Sequence, residues 1–149
     1  MTAEGITVTD DELLDTLDVL GVSLSITDLP PDRDGEYEHG LRIVRLRPGM
    51  ARRLHRSVLA HECAHAVYGD VPLRDPHHAE RQEVRADEWA ARMLVPVDDY
   101  ARAESIHDGH VDAMALELDV TVDLIRAFQR TLQHPRALRM PDIPTGASR

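Results

Sequence analysis

His61-Glu62-Cys63-Ala64-His65 sets two imidazoles four residues apart, with a carboxylate beside the first. On an α-helix, residues i and i+4 share a face one turn apart. His61 and His65 can therefore offer ring nitrogens to one metal ion. Glu62 lies about 100° round the helix from His61, within reach of a water on that metal. Two nitrogen ligands, an open position for water and a carboxylate to take its proton are the parts of a zinc hydrolase. A His-bearing surface helix could carry the same five letters, so the downstream sequence decides how much weight they bear.

A catalytic zinc usually has three protein ligands. The segment from about His77 to Val95 predicts a second helix, opened by Asp75-Pro76 as cap and first-turn proline and closed before Pro96. Glu83 and Asp87 share one face of it. Glu83, 18 residues after His65, is the candidate third ligand; Glu80 is the other candidate, and Glu88 lies on the wrong face. Asp87 can accept a hydrogen bond from the ring N–H of a ligating His and fix its tautomer. Ala86, Ala90 and Ala91 would let the two helices approach closely. Taken alone the acidic pair reads as a solvated stripe, because Glu80, Arg81, Arg85, Glu88 and Arg92 charge the same helix. Its place after the first motif makes a metal site the better reading.

Residues 53–68, Arg-Leu-His-Arg-Ser-Val-Leu-Ala-His-Glu-Cys-Ala-His-Ala-Val-Tyr, resemble the zinc helix of the ImmA/IrrE metallopeptidases. Residues 83–96, Glu-Val-Arg-Ala-Asp-Glu-Trp-Ala-Ala-Arg-Met-Leu-Val-Pro, resemble the second signature of that family, and a looser likeness runs from about Val22 to Thr131. The resemblance implies an intracellular peptidase of a phage, mobile element or bacterium, acting on a DNA-binding repressor and so relieving repression. It implies one Zn2+ per chain held by His61, His65 and Glu83, with Glu62 as catalytic base. It implies an α+β fold, with a small antiparallel or mixed sheet on a zincin-like helical core and a C-terminal helix-turn-helix-like segment. Two positions depart from the family pattern. Arg85 stands where a second Glu is common, and Gly69-Asp70 stands where Gly-His is common.

The expected function is a zinc-dependent endopeptidase: the metal activates water and polarises a peptide carbonyl, and Glu62 moves the proton. Tyr68, Tyr100, His107 and His110 are candidates for stabilising the oxyanion. A rival of a different class is a non-proteolytic regulator that docks on its partner and keeps a structural or vestigial zinc site.

At 149 residues the chain is expected to form one domain over 1–140, with a helix-turn-helix-like subregion over about 110–132 and a tail over 141–149. Net charge is −10 and all 17 basic residues are Arg, which argues against direct nucleic-acid binding and suits a protein partner. One Cys rules out an internal disulfide; Cys63, inside the motif, reads as a small buried residue rather than a redox switch. The acidic Met1–Asp18 segment lacks a signal-peptide pattern and no run of 18 apolar residues exists, so a cytoplasmic location off the membrane is expected.

The remaining pattern supplies the elements that must position the site. Thr9 caps a helix running to about Leu20, and Val22–Ile26 alternates like a strand. Glu36–His39 and Leu41–Arg47 read as a hairpin turned at His39-Gly40, with Leu41, Ile43, Val44 and Leu46 as core candidates. Leu54, Val58, His61 and His65 form one stripe on the motif helix, expected to face inward. His77-His78 read as a solvated pair in the connection to the next helix. Val97–Ser105, His110–Leu118 and Thr121–Leu132 complete the helices, with Thr121 as a cap.

Overall fold

The computed structural model describes residues 9–134; the expected tail over 141–149 lies outside them. Six helices and three strands follow in the order α1 (Asp10–Val19), β1 (Ser23–Ile26), β2 (Gly35–Glu38), β3 (Ile43–Leu46), α2 (Arg52–Tyr68), α3 (Pro76–Leu94), α4 (Val97–Ile106), α5 (Val111–Leu118) and α6 (Val122–Gln133). The class is α+β. The sheet is mixed, in the order β1-β3-β2: β3 pairs parallel with β1 and antiparallel with β2. β2 is therefore an edge strand.

Local chemistry explains the boundaries. The Thr9 hydroxyl accepts from the Glu12 N–H at 3.2 Å, and three acids in the first turn of α1 complement the helix dipole. Asp75 accepts from the N–H groups of His77 and His78, and Pro76 supplies a pre-set φ at the start of α3. His77 and His78 consequently sit in the first turn of that helix rather than in the connection. Gly69 ends α2 in the left-handed region at φ 65°, which reverses the chain so that the Asp70 N–H bonds the His65 carbonyl at 2.9 Å.

Leu41 is 66% exposed, against its expected core role. The turn takes residues 39–42 and ends with Arg42 at φ 53°, so pairing begins only at Ile43 and Leu41 stays outside the ladder. Val44 and Leu46 are buried as expected. The inward stripe on α2 also needs correction. Its core face is Leu59, Ala60, Cys63 and Ala64, packed with Leu13 and Leu17 of α1 and with Ala86, Ala90 and Leu94 of α3. Leu54, Val58 and His61 lie partly buried along a cleft instead. α2 is covered on several sides, so a single apolar stripe could not show which face was deepest.

α3 packs on both α2 and α6, and its Ala86, Trp89, Ala90 and Ala91 are fully buried. Arg56 ties the helices together: its guanidinium donates to the carbonyls of Leu94, Leu118 and Asp119 at 3.3, 3.3 and 2.7 Å, at the ends of α3 and α5. α5 and α6 are joined by a three-residue turn with Asp119 at φ 57°. α6 buries Leu124, Ile125, Ala127 and Phe128. Thr121 occupies the cap position without a side-chain capping bond; its N–H donates to the Ser57 hydroxyl at 3.1 Å.

Candidate metal centre

Helix geometry stacks His61 over His65, with ring centroids 4.7 Å apart. Close α2–α3 packing carries Glu83 across to both. His61 Nε2 lies 3.0 Å from Glu83 Oε2, His65 Nε2 lies 3.1 Å from Glu83 Oε1, and the two Nε2 atoms are 3.1 Å apart. Among the described residues, His61, His65 and Glu83 form a group able to hold a metal ion. Glu80, the other sequence candidate, lines the cleft beside this triad but does not join it.

The opposite ring nitrogens are committed to carboxylates. His61 Nδ1 lies 2.7 Å from Asp87 Oδ1, and His65 Nδ1 lies 2.8 Å from Asp70 Oδ2. A carboxylate can only accept, so each Nδ1 must carry a hydrogen and donate it. Both Nε2 atoms are then lone-pair acceptors, aimed at each other and at a third acceptor, Glu83. Such a triangle needs positive charge at its centre. A tetrahedral zinc with ordinary bond lengths separates its ligand atoms by about 3.3 Å, close to the 3.0–3.1 Å seen here. The donor set and its spacing fit zinc.

Without a metal, protons must supply that charge. Burial opposes a charge on His61, but its bonds to Asp87 and Glu83 outweigh this and hold its pKa at about 10. Burial likewise opposes His65, while Asp70 and Glu83 raise it to about 9. The same two imidazoles hold Glu83 well below the usual carboxylate range. Glu62 is shifted the other way: it is only 6% exposed, and burial pushes its carboxyl up against the opposing pull of His61 and His65.

Two openings flank the triad and share Arg33, Gly35, Glu62 and Glu83. One, of about 480 Å³, has an apolar wall of Tyr37, Val71, Pro72 and Leu73. The other, of about 450 Å³, is rimmed by Asp32, Asp34 and Asp123. Gly35 brings β2 against α2 at this point: a Cβ there would stand 2.6 Å from Val58 and 3.1 Å from Glu62. Sequence reading assigned no role in the site to Gly35, Tyr37 or Asp70. Only Asp70 carried a signal, as the residue that a left-handed Gly69 turns back under His65.

The four oxyanion candidates line neither opening. Tyr100 stacks on Phe128 and donates to Glu104; His107 faces Glu117; His110 bonds the His107 carbonyl; Tyr68 lies under the Arg85 guanidinium. Tyr37 is the phenol that does line the cleft, its hydroxyl 2.7 Å from His39 Nδ1.

The family model for the IrrE N-terminal-like domain, a peptidase family, matches residues 17–127. The chain belongs to that family. No curated protein matches it significantly. Among solved structures, a Mycobacterium tuberculosis transcriptional regulator is similar with a TM-score of 0.63 and 19% identity, over 91% of this chain. The chain spans 46% of that regulator, and the likeness is one of fold. Residues 17–127 of the family match take in α2, α3 and both openings of the cleft. Among the described residues, no helix is long and apolar enough to cross a membrane.

Proposed function

We propose that the chain is a zinc-dependent endopeptidase with a zincin-like core, in which His61, His65 and Glu83 hold the metal and Glu62 is the catalytic base. The observation that carries this is the triangle of three acceptors, 3.0–3.1 Å on a side, with both Nδ1 atoms tied to carboxylates. Membership of a peptidase family supports the reaction class.

When bound, zinc supplies a Lewis acid that acidifies water and polarises a carbonyl. Asp87 fixes the His61 tautomer. Glu62, buried beside the triad with its pKa raised by desolvation, takes the proton of the attacking water and returns it to the leaving amine. An extended substrate lies along β2. The Asp34 carbonyl accepts from the Arg47 N–H at 2.8 Å, so bonding pairs alternate and the N–H and C=O groups of Gly35 and Tyr37 point to the free edge. Pairing there brings the peptide past Glu62, which packs against Gly35. Tyr37, or Arg33 across the same opening, is the donor for the oxyanion. The substrate class is a regulatory protein, a DNA-binding repressor above all, which fits an acidic chain better than nucleic acid does.

The test is metal content by elemental mass spectrometry without chelators, followed by cleavage of a co-expressed repressor. Wild type should carry one zinc and Glu83→Ala should lose it. Glu62→Gln should keep zinc and cleave about 100-fold or more slowly. A Glu62→Gln variant that relieves repression as well as wild type sinks the peptidase reading in favour of docking.

A further inference from the structure

We propose that Asp70, clamped by Arg85, is a positioning residue that fixes the ring of His65 for the metal. The inference rests on the zinc-site reading above. Asp70 holds His65 from two directions. Its backbone N–H bonds the His65 carbonyl at 2.9 Å, and its carboxylate accepts from His65 Nδ1 at 2.8 Å. Both contacts depend on the left-handed Gly69, which reverses the chain one turn after His65. The Asp70 side chain is only 8% exposed, so water cannot balance its charge. Arg85 does so instead, bonding the other carboxylate oxygen. The guanidinium is held in place by the face of Tyr68, 3.9 Å from its ring centroid.

The two imidazoles are thus oriented by unlike devices. Asp87, which serves His61, is 30% exposed and is balanced partly by solvent. Asp70, which serves His65, is buried and has a fixed cation. A carboxylate that orients a ligating His fixes its tautomer and raises its basicity as a ligand. Arg85 acts through Asp70: it balances the buried carboxylate's charge and stops it from turning away.

The experiment measures zinc affinity of the full chain by chelator competition, for wild type, D70N, R85M and the double variant. D70N should bind zinc about 10- to 100-fold more weakly. R85M should weaken it at least threefold. The double variant should be no weaker than D70N, because Arg85 has no route to the metal except Asp70. Long-range 1H–15N spectra of the zinc forms should show altered His65 ring nitrogens in D70N with those of His61 unchanged. R85K should restore part of the R85M loss. If D70N fails to fold by circular dichroism, the R85M loss and its R85K rescue carry the test alone. D70N binding within twofold of wild type overturns the proposal, as do losses that multiply in the double variant. A wild-type chain that binds no zinc overturns the metal-site reading itself, which is a different result.

Discussion

In the proposed site zinc would have to displace protons to enter, and that sets how its affinity should depend on pH. In the metal-free protein His61 titrates at about 10 and His65 at about 9, yet both must be deprotonated to ligate. At pH 7 a proton held at pKa 9 handicaps zinc by about 100-fold, and one held at 10 by about 1,000-fold. The two charges are not independent, because the Nε2 atoms are 3.1 Å apart and each disfavours a proton on the other. Between one and two protons are therefore expelled. Zinc affinity should rise about 10- to 100-fold per pH unit from 6.5 to 9 and flatten above that. Stability carries the same sign. Folded pKa values above the unfolded 6.5 mean that the two His stabilise the metal-free fold fully below pH 6.5 and lose this as pH rises through 9 and 10. Glu83, held low, contributes above pH 4.5 and loses this as pH falls below it. Zinc should accordingly raise the melting temperature more at pH 8.5 than at pH 6.5. Calorimetric zinc titrations in two buffers of different ionisation enthalpy count the protons directly. An affinity that changes less than threefold between pH 6.5 and 8.5 would refute the protonated triad.

Other consequences lie away from the metal. Gly35→Ala forces a Cβ to 2.6 Å from Val58 and 3.0 Å from Leu46; urea unfolding should show a loss of about 1–3 kcal/mol, and a loss below 0.3 kcal/mol would mean that β2 shifts freely. Arg56→Met leaves the carbonyls of Leu94, Leu118 and Asp119 without their donor and should destabilise the zinc-free protein by about 3 kcal/mol; wild-type stability would make the guanidinium dispensable. Cys63 is fully buried, and burial pushes its thiol up to about 12. It should resist iodoacetamide at pH 8 until the chain unfolds, and labelling at the rate of a free thiol would disprove its structural role.

Several features were legible because they depend on short-range rules. The i,i+4 spacing of His61 and His65, the same spacing of Glu83 and Asp87 and the Asp75-Pro76 start of α3 are all set by helix geometry and capping, which neighbouring residues determine. The two motifs also carried the family. What the spacing alone left open was whether Glu80 or Glu83 would face the histidines, and the packing of α3 on α2 presents Glu83.

Residue chemistry and helical period were enough to pick out the candidate ligands and the helices that bear them, since neither needs a partner segment to be read, and the family resemblance carried the α+β class. Tertiary structure alone decided the rest. The edge position of β2, the approach of Gly35 to Glu62 and the fully buried face of α2 depend on which elements cover which, and a pattern within one element does not record its neighbours. The pairing of Asp70 with Arg85 spans 15 residues, from the turn after α2 to α3. Charge complementarity of that kind acts only at contact distance, and only the fold brings the two groups there.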